Sequence, residues 1–229
     1  MTAPVQKIRV LVADDHTIVR RGFVSLLSLA DGVEVVGEAE NGREAVEKAM
    51  LLLPDVVLLD INMPVLNGLQ ATQQIRQKAP EVKVLIVTAH DNDEYVLQVV
   101  RSGASGYLLK NTSAEDLFAA IRAVQAGGAF YSPSVSKILA SFQTKQVSPA
   151  VEAPPGNEAR AETRLTSRER EVLQLVAEGY THQQIASALS ISRRTVDTHC
   201  NNIMSKLDIH DNAGLTTYAI KNGIVILPK

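Results

Sequence analysis

Four short apolar runs carry reactive side chains where they stop. IRVLVAD (8–14) ends in Asp14 with Asp15 beside it, DVVLLD (55–60) ends in Asp60, KVLIVTA (83–89) closes on Thr88 and Ala89, and GYLLK (106–110) ends in Lys110. If these ends meet, three carboxylates, a hydroxyl and an ammonium share one place. Two unit charges about 4 Å apart repel by about 4 kcal/mol at an effective dielectric near 20, so such a cluster takes up a cation or protons. Donors that are all oxygen favour a hard divalent ion, and a few carboxylates completed by water is the Mg2+ pattern. Any one of these acids is explained as well by capping a strand-to-helix turn, but the five positions together are not.

The elements that would gather them are legible in the periodicity. Together with VEVVGEA (33–39), the runs recur roughly every 25 residues, and each is followed by a segment of helical spacing, such as Val19, Phe23, Leu26 and Ala30, or Leu117, Ile121 and Val124. Short β-branched runs without polar alternation suit strands buried on both faces, and helical crossovers between them imply a parallel sheet with right-handed connections. The expectation is an α/β doubly wound domain of five parallel strands, whose ligand site lies beyond the carboxyl ends of the strands.

The chain has 229 residues, 45% apolar and 21% charged, the balance of a globular protein of one to two domains. The opening MTAPVQKIRV lacks a signal-peptide core, and no apolar stretch approaches the length of a membrane span, so a cytoplasmic protein without a membrane partner is expected. One cysteine, Cys200, rules out an internal disulfide and cysteine-based metal clusters, and the five histidines have no metal-ligand spacing. Neither GxGxxG nor GxxxxGK[ST] occurs, against nucleotide enzymes, and ADDHT after the first run is not the DxDxT of haloacid-dehalogenase-like phosphatases. QTKQVSPAVEAPPGNEAR (143–160) reads as linker, giving an expected division into residues 1–130, a linker 131–160 and a second domain 161–229. Lys and Arg number 14 against 16 Asp and Glu over residues 1–145, but 9 against 7 over 160–229, a mild excess that keeps nucleic acid open as a partner of the second half.

That second half reads as a small all-α domain of short helices. Thr166 to Glu169 forms a capping box, Gly179 is a C-terminal stop, THQQIASALS is a second helix, and a tight Ser190-Ile191 turn leads to a third that Ser192 caps and that runs to about Leu207. A last helix covers about Ala213 to Asn222. Two helices joined by a brief turn suggest helix-turn-helix. On the third helix, Val196, Cys200, Ile203 and Leu207 form a buried stripe, making Cys200 a small core residue. Arg194, Thr198, Asn201, Asn202 and Ser205 lie opposite, with Asp197 at the flank, and these are expected to face the major groove of double-stranded DNA. Arg193, Arg194 and Lys206 are expected beside phosphates, and Thr198 and Asn201 at base edges. Asp197 opposes the phosphates but can also accept from cytosine N4.

VADDH (12–16), LLDINMPVLNG (58–68), VTAHD (87–91) and GASGYLLK (103–110) resemble, in this order and spacing, the receiver domain of two-component response regulators, and residues 165–215 resemble the LuxR-type helix-turn-helix, together the NarL/FixJ family. The resemblance implies that Asp60 is the phosphoryl acceptor, that Asp14, Asp15 and Asp60 with the backbone carbonyl of Asn62 hold Mg2+, and that Thr88 and Lys110 bind phosphoryl oxygens. It further implies that Tyr107 is a switch residue responding to Thr88, the alternative being an ordinary sheet-edge aromatic, while His16 reads as a helix-start residue because Mg2+ takes oxygen. Asn62 and His90 would flank the pocket and affect the lifetime of the acyl phosphate. A sensor histidine kinase would be the phosphoryl donor and two copies would bind DNA as a homodimer, with Leu215, Tyr218 and Ala219 either pairing the copies or packing within the bundle. The expected function is a DNA-binding response regulator, not a turnover enzyme, in which Mg2+-dependent phosphorylation of Asp60 controls dimerisation and DNA binding. The alternative is a phosphorylation-independent DNA- or protein-binding regulator with a vestigial acidic pocket.

Overall fold

The runs rich in Val, Ile and Leu form parallel strands, and the helical segments between them return the chain to the same end of the sheet each time. In the computed structural model, residues 7–89, 93–131 and 165–225 are described, and the chain divides into two units, Met1–Val147 and Ser148–Lys229. Apart from Tyr131, the expected linker 131–160 lies outside the described residues, as does His90.

The first unit runs β1 (Ile8–Ala13), α1 (Thr17–Ser28), β2 (Val33–Ala39), α2 (Gly42–Leu52), β3 (Val56–Leu59), α3 (Gly68–Lys78), β4 (Lys83–Thr88), α4 (Asp93–Ser102), β5 (Gly106–Leu109), α5 (Ala114–Gln125) and β6 (Phe130–Tyr131). All pairings are parallel, in the order β2-β1-β3-β4-β5-β6. The sheet therefore has six strands where the sequence predicts five, because Phe130 and Tyr131 pair with Gly106 and Tyr107. Two residues are too few to carry a period.

Alternation assigns the faces. Val10, Val12, Val56, Leu58, Leu85, Val87 and Leu108 pack with Leu27 of α1 and Leu117, Ala120, Ile121 and Val124 of α5. The intervening residues, Leu11, Val57, Leu59 and Ile86 among them, are equally buried and point the other way, toward the side on which α2, α3 and α4 cross the strands. With both faces covered, the functional edge is the end where the strands stop.

Between β3 and α3 the chain makes a tight loop at that edge. Leu66 N donates to Pro64 O at 2.8 Å, a three-residue turn that holds Val65 at φ +70°, and Gly68 N donates to Ile61 O at 2.8 Å. A β-branched residue in the left-handed region is strained, so the surrounding contacts impose this conformation. They do so by bringing α3 against the end of β3: a Cβ on Gly68 would lie 2.0 Å from the carbonyl oxygen of Asp60.

The second unit contains α6 (Ser167–Ala177), α7 (His182–Ala188), α8 (Arg193–Leu207) and α9 (Asn212–Lys221). Thr166 and Glu169 close the expected capping box, Gly179 takes φ +86°, and Ser192 Oγ accepts from Thr195 N at 3.1 Å to start α8. Thr181 and Gln184 form a second capping box on α7. The core gathers Val172, Leu173, Leu175, Ile185, Val196, Cys200, Ile203, Leu215 and Ala219, all buried. Leu215 and Ala219 thus pack within the bundle, and of the three residues considered for an apolar edge on α9 only Tyr218 stays partly exposed.

Gly68→Ala is expected to lower the stability of the first unit by about 1–3 kcal/mol, the cost of forcing a methyl group into an occupied space. Urea denaturation measures it, and an unchanged midpoint would contradict the close approach of α3 to Asp60.

Candidate functional site

Adjacent strands in register deliver their last residues to one place. Asp14 N donates to Ala39 O (3.1 Å), Asp60 N to Ala13 O (2.9 Å) and Lys110 N to Thr88 O (2.8 Å), so the ladder of hydrogen bonds continues one residue past each strand and fixes the backbone of three functional residues. Asp14 and Asp60 are buried, at 2% and 3% exposure. Lys110 Nζ bridges them, 2.7 Å from Asp14 Oδ2 and 2.9 Å from Asp60 Oδ2. Their other oxygens are held by backbone donors: Asp14 Oδ1 by His16 N (2.9 Å) and Asp60 Oδ1 by Ile61 N (2.8 Å).

Burial is the largest influence on Asp60. It pushes the carboxyl up to about 6, with Asp14 adding to the rise and the Lys110 ammonium opposing it. For Lys110, burial works against the charge, but the two carboxylates outweigh it and hold the ammonium above its ordinary value. The group therefore stays cationic at neutral pH beside a carboxylate that is ionised for the most part.

Carboxylate oxygens of Asp14, Asp15 and Asp60 and a ring nitrogen of His16 all lie within 4.8 Å of one another. Asp15 Oδ1 is buried without a hydrogen-bond partner, although His16 Nδ1 is 2.8 Å away. A charged, desolvated acceptor is costly, and a hard cation satisfies it. The three carboxylates fit Mg2+ on that ground. His16 takes the N-cap position of α1, as the sequence suggests, and its side chain makes no cap hydrogen bond. Asn62 is half-buried in the loop after β3.

Thr88 is fully buried at the end of β4. Tyr107 is 1% exposed and pairs with Ile86, on a strand flanked by β4 and β6. It is therefore not a sheet-edge aromatic, because the unexpected β6 covers that edge.

One buried residue supports this pocket without having been singled out in the sequence. Arg20, at 4% exposure, donates from Nη1 to the carbonyl of Asp14 (2.6 Å), from Nε to Glu38 (3.2 Å) and from Nη2 to Glu40 (2.7 Å). It ties the backbone of an acidic residue to the end of β2. Its signal is position: Arg20 lies seven residues before Leu27, so this cation sits on the buried face of α1.

In the second unit, α8 presents Arg193, Arg194, Thr198, Asn201, Asn202 and Ser205 to solvent, opposite the buried Val196, Cys200 and Ile203. Two expected members of that face are engaged elsewhere. Lys206 Nζ contacts both carboxylate oxygens of Glu169, at 2.8 and 2.7 Å, tying α8 to the cap of α6. Asp197 Oδ1 lies 2.6 Å from His182 Nδ1 of α7. In the sequence Glu169 is visible only as the capping-box acid and His182 is not distinguished, since each is distant along the chain from the residue it holds.

Residues 10–122 match the response regulator receiver domain, and residues 163–219 match the bacterial regulatory proteins of the luxR family. The chain is 40% identical over 225 residues to the transcriptional regulatory protein DegU of Brevibacillus brevis, covering 96% of this chain and 95% of that protein. It is 38% identical over 218 residues to the response regulator protein VraR of Staphylococcus aureus, covering 95% and 99%. A solved complex of the two-component response regulator RcsB with DNA is similar at a TM-score of 0.56 and 27% identity, covering 95% of this chain and 99% of that one. The chain belongs to the two-component response regulators of the LuxR family, which are DNA-binding transcriptional regulators and not turnover enzymes. No helix among the described residues is long and apolar enough to cross a membrane.

Burial raises the Glu169 carboxyl, but the hydrogen bonds and charge of Lys206, together with Thr166, outweigh it and hold the group below its ordinary 4.5. A carboxyl whose folded value is depressed stabilises the fold above the unfolded value and loses that contribution as pH falls through the folded one. The second unit is therefore expected to lose stability below about pH 4.5, and Glu169→Gln to remove that part of the acid dependence. Thermal melts followed by circular dichroism between pH 3 and 7 check this, and an unaltered acid profile in the variant would count against it.

Proposed function

We propose that this protein is a phosphorylation-controlled transcription factor in which Asp60 accepts a phosphoryl group from a sensor histidine kinase, and that the modified receiver controls homodimerisation and binding to double-stranded DNA. The observation that carries the reading is the Lys110 ammonium lying between the buried carboxylates of Asp14 and Asp60. Residues 1–130 are the receiver, 131–160 the linker and 161–229 the DNA-binding domain, all acting in the cytoplasm.

An Asp60 oxygen attacks phosphorus, and the P–N bond of the donor phosphohistidine breaks as the P–O bond forms. Such transfer is mostly positioning and neutralisation of charge. Ile61 N orients the Asp60 carboxylate through Oδ1, and Lys110 releases Oδ2 to follow the incoming phosphoryl oxygens. Asp14, Asp15, Asp60 and the carbonyl of Asn62 would hold Mg2+, which when bound supplies further neutralisation of the phosphoryl oxygens. Thr88 donates its hydroxyl to a phosphoryl oxygen, and the product carries about −1.5 to −2 charges where the Asp60 carboxylate carried −1. Withdrawal of the Thr88 hydroxyl toward the phosphate would alter the packing beside Tyr107, which is the step that passes the signal to the surface.

On the DNA side, Arg193 and Arg194 approach phosphates, while Asp197, Thr198, Asn201, Asn202 and Ser205 face the major groove. The RcsB–DNA complex, similar over 95% of this chain, supports DNA binding as such. Lys206 would have to leave Glu169 to reach a phosphate, so its contribution is expected to be small. With few basic contacts, one copy binds weakly, and two copies on a two-fold site are the effective unit.

Incubation with a small acyl phosphate and Mg2+ is expected to add one phosphoryl group to the wild type, seen by intact mass, and none to Asp60→Asn. The gain should disappear with excess chelator and be accompanied by dimerisation in light scattering. Labelling of Asp60→Asn would refute the assignment, and a labelled wild type that stays monomeric with unchanged DNA affinity would favour the phosphorylation-independent reading.

A further inference from the structure

Three polar side chains around the start of α8 form a chain of contacts that the reading above leaves unused. His182 opens α7 and is a third exposed; its Nδ1 is 2.6 Å from Oδ1 of Asp197, and its Nε2 is 3.7 Å from Sγ of Cys200. Asp197 and Cys200 are three residues apart on α8, so a single imidazole spans one turn of the helix that carries the DNA-facing side chains. We propose that His182 is a positioning residue for Asp197, presenting its carboxylate to a cytosine amino group in the major groove and thereby setting the base preference at one position of each half-site. This rests on the DNA-binding reading given above.

One arrangement of the protons satisfies all three groups. Burial, with Asp197 adding to it, pushes the Cys200 thiol up to about 11, so sulfur keeps its hydrogen at neutral pH. In the neutral ring one nitrogen donates and the other accepts. A thiol donating to Nε2 leaves the ring hydrogen on Nδ1, where it donates to Asp197 Oδ1. Every partner in the chain is then satisfied, and the Asp197 side chain is held in one rotamer.

The consequence lies in the oxygen that remains. Asp197 is about half exposed (47%), on the same helix as the exposed Thr198 and Asn201, and its Oδ2 has no partner in this chain of contacts. Carboxylates read the N4 amino group of cytosine, the base whose major-groove edge offers a donor and no acceptor beside it. A carboxylate near phosphates opposes binding unless such a donor meets it, so the acid discriminates by penalty as well as by attraction. Without His182 the carboxylate turns freely, and the penalty falls on all bases alike.

The donor must sit at the δ position, which separates two substitutions of similar size. Asparagine carries its amide nitrogen where imidazole carries Nδ1, whereas glutamine carries it where imidazole carries Nε2. The test selects binding sites for the full-length protein from a pool of randomised duplexes and compares wild type with His182→Asn, His182→Gln and Asp197→Ala. Wild type and His182→Asn are expected to prefer cytosine at one position per half-site by about fivefold, the low end for a base-edge contact. His182→Gln and Asp197→Ala are expected to flatten that position alone, and the preferences kept at the other positions show that the domain is folded. If His182→Gln does not fold, the comparison falls to His182→Asn with His182→Ala. A His182→Gln or His182→Ala profile matching wild type at every position, or an Asp197→Ala profile that retains the cytosine preference, would overturn the proposal. A wild type that selects no sequence would instead defeat the DNA-binding reading itself.

Discussion

Two buried carboxylates face each other across the end of a parallel sheet, and the ammonium of Lys110 stands between them. The sheet cannot avoid bringing them together, because β1 and β3 are neighbours and each ends one residue before an aspartate. Without a cation the repulsion would fall on the centre of the sheet, where both faces are covered and water is scarce. Lys110 arrives from β5, two strands away from β3, and reaches both acids with a side chain that is itself mostly buried. The pocket is thus strongly charged yet balanced, and a phosphoryl group attached to Asp60 would meet an existing positive partner. Asp15, with a buried oxygen that lacks a hydrogen-bond partner, adds a third carboxylate beside this pair.

The backbone around this pair is arranged to keep it in place. Gly68 lets α3 approach the carbonyl of Asp60, Val65 is held in a strained turn just before it, and Arg20 grips the carbonyl of Asp14. The two carboxylates are therefore fixed from behind through their own peptide groups, while their oxygens are held by Lys110 and by backbone donors.

Much of this was legible in the sequence, since a buried parallel strand announces itself by an unbroken apolar run and the reactive residues follow the last apolar position. Strands β1 to β5, the capping box of α6, the Gly179 stop and the buried stripe of α8 are all local patterns, and the structure contains them. What was not legible depends on tertiary neighbours. β6 is only two residues long and exists because β5 offers an edge, and that pairing places Tyr107 inside the sheet. The roles of Arg20, of Glu169 beside Lys206 and of His182 beside Asp197 rest on partners 15 to 37 positions away or on backbone atoms, which no periodicity reports.

The site rests on the charge balance between Lys110 and Asp60, and carboxyl carbon NMR of the metal-free protein reads it directly. The Asp60 carboxyl is expected to titrate at about 6 in the wild type. In Lys110→Met it should move higher, because burial and Asp14 then act without opposition. An Asp60 carboxyl that titrates in the ordinary aspartate range, or one that is indifferent to removal of the ammonium, would contradict the account.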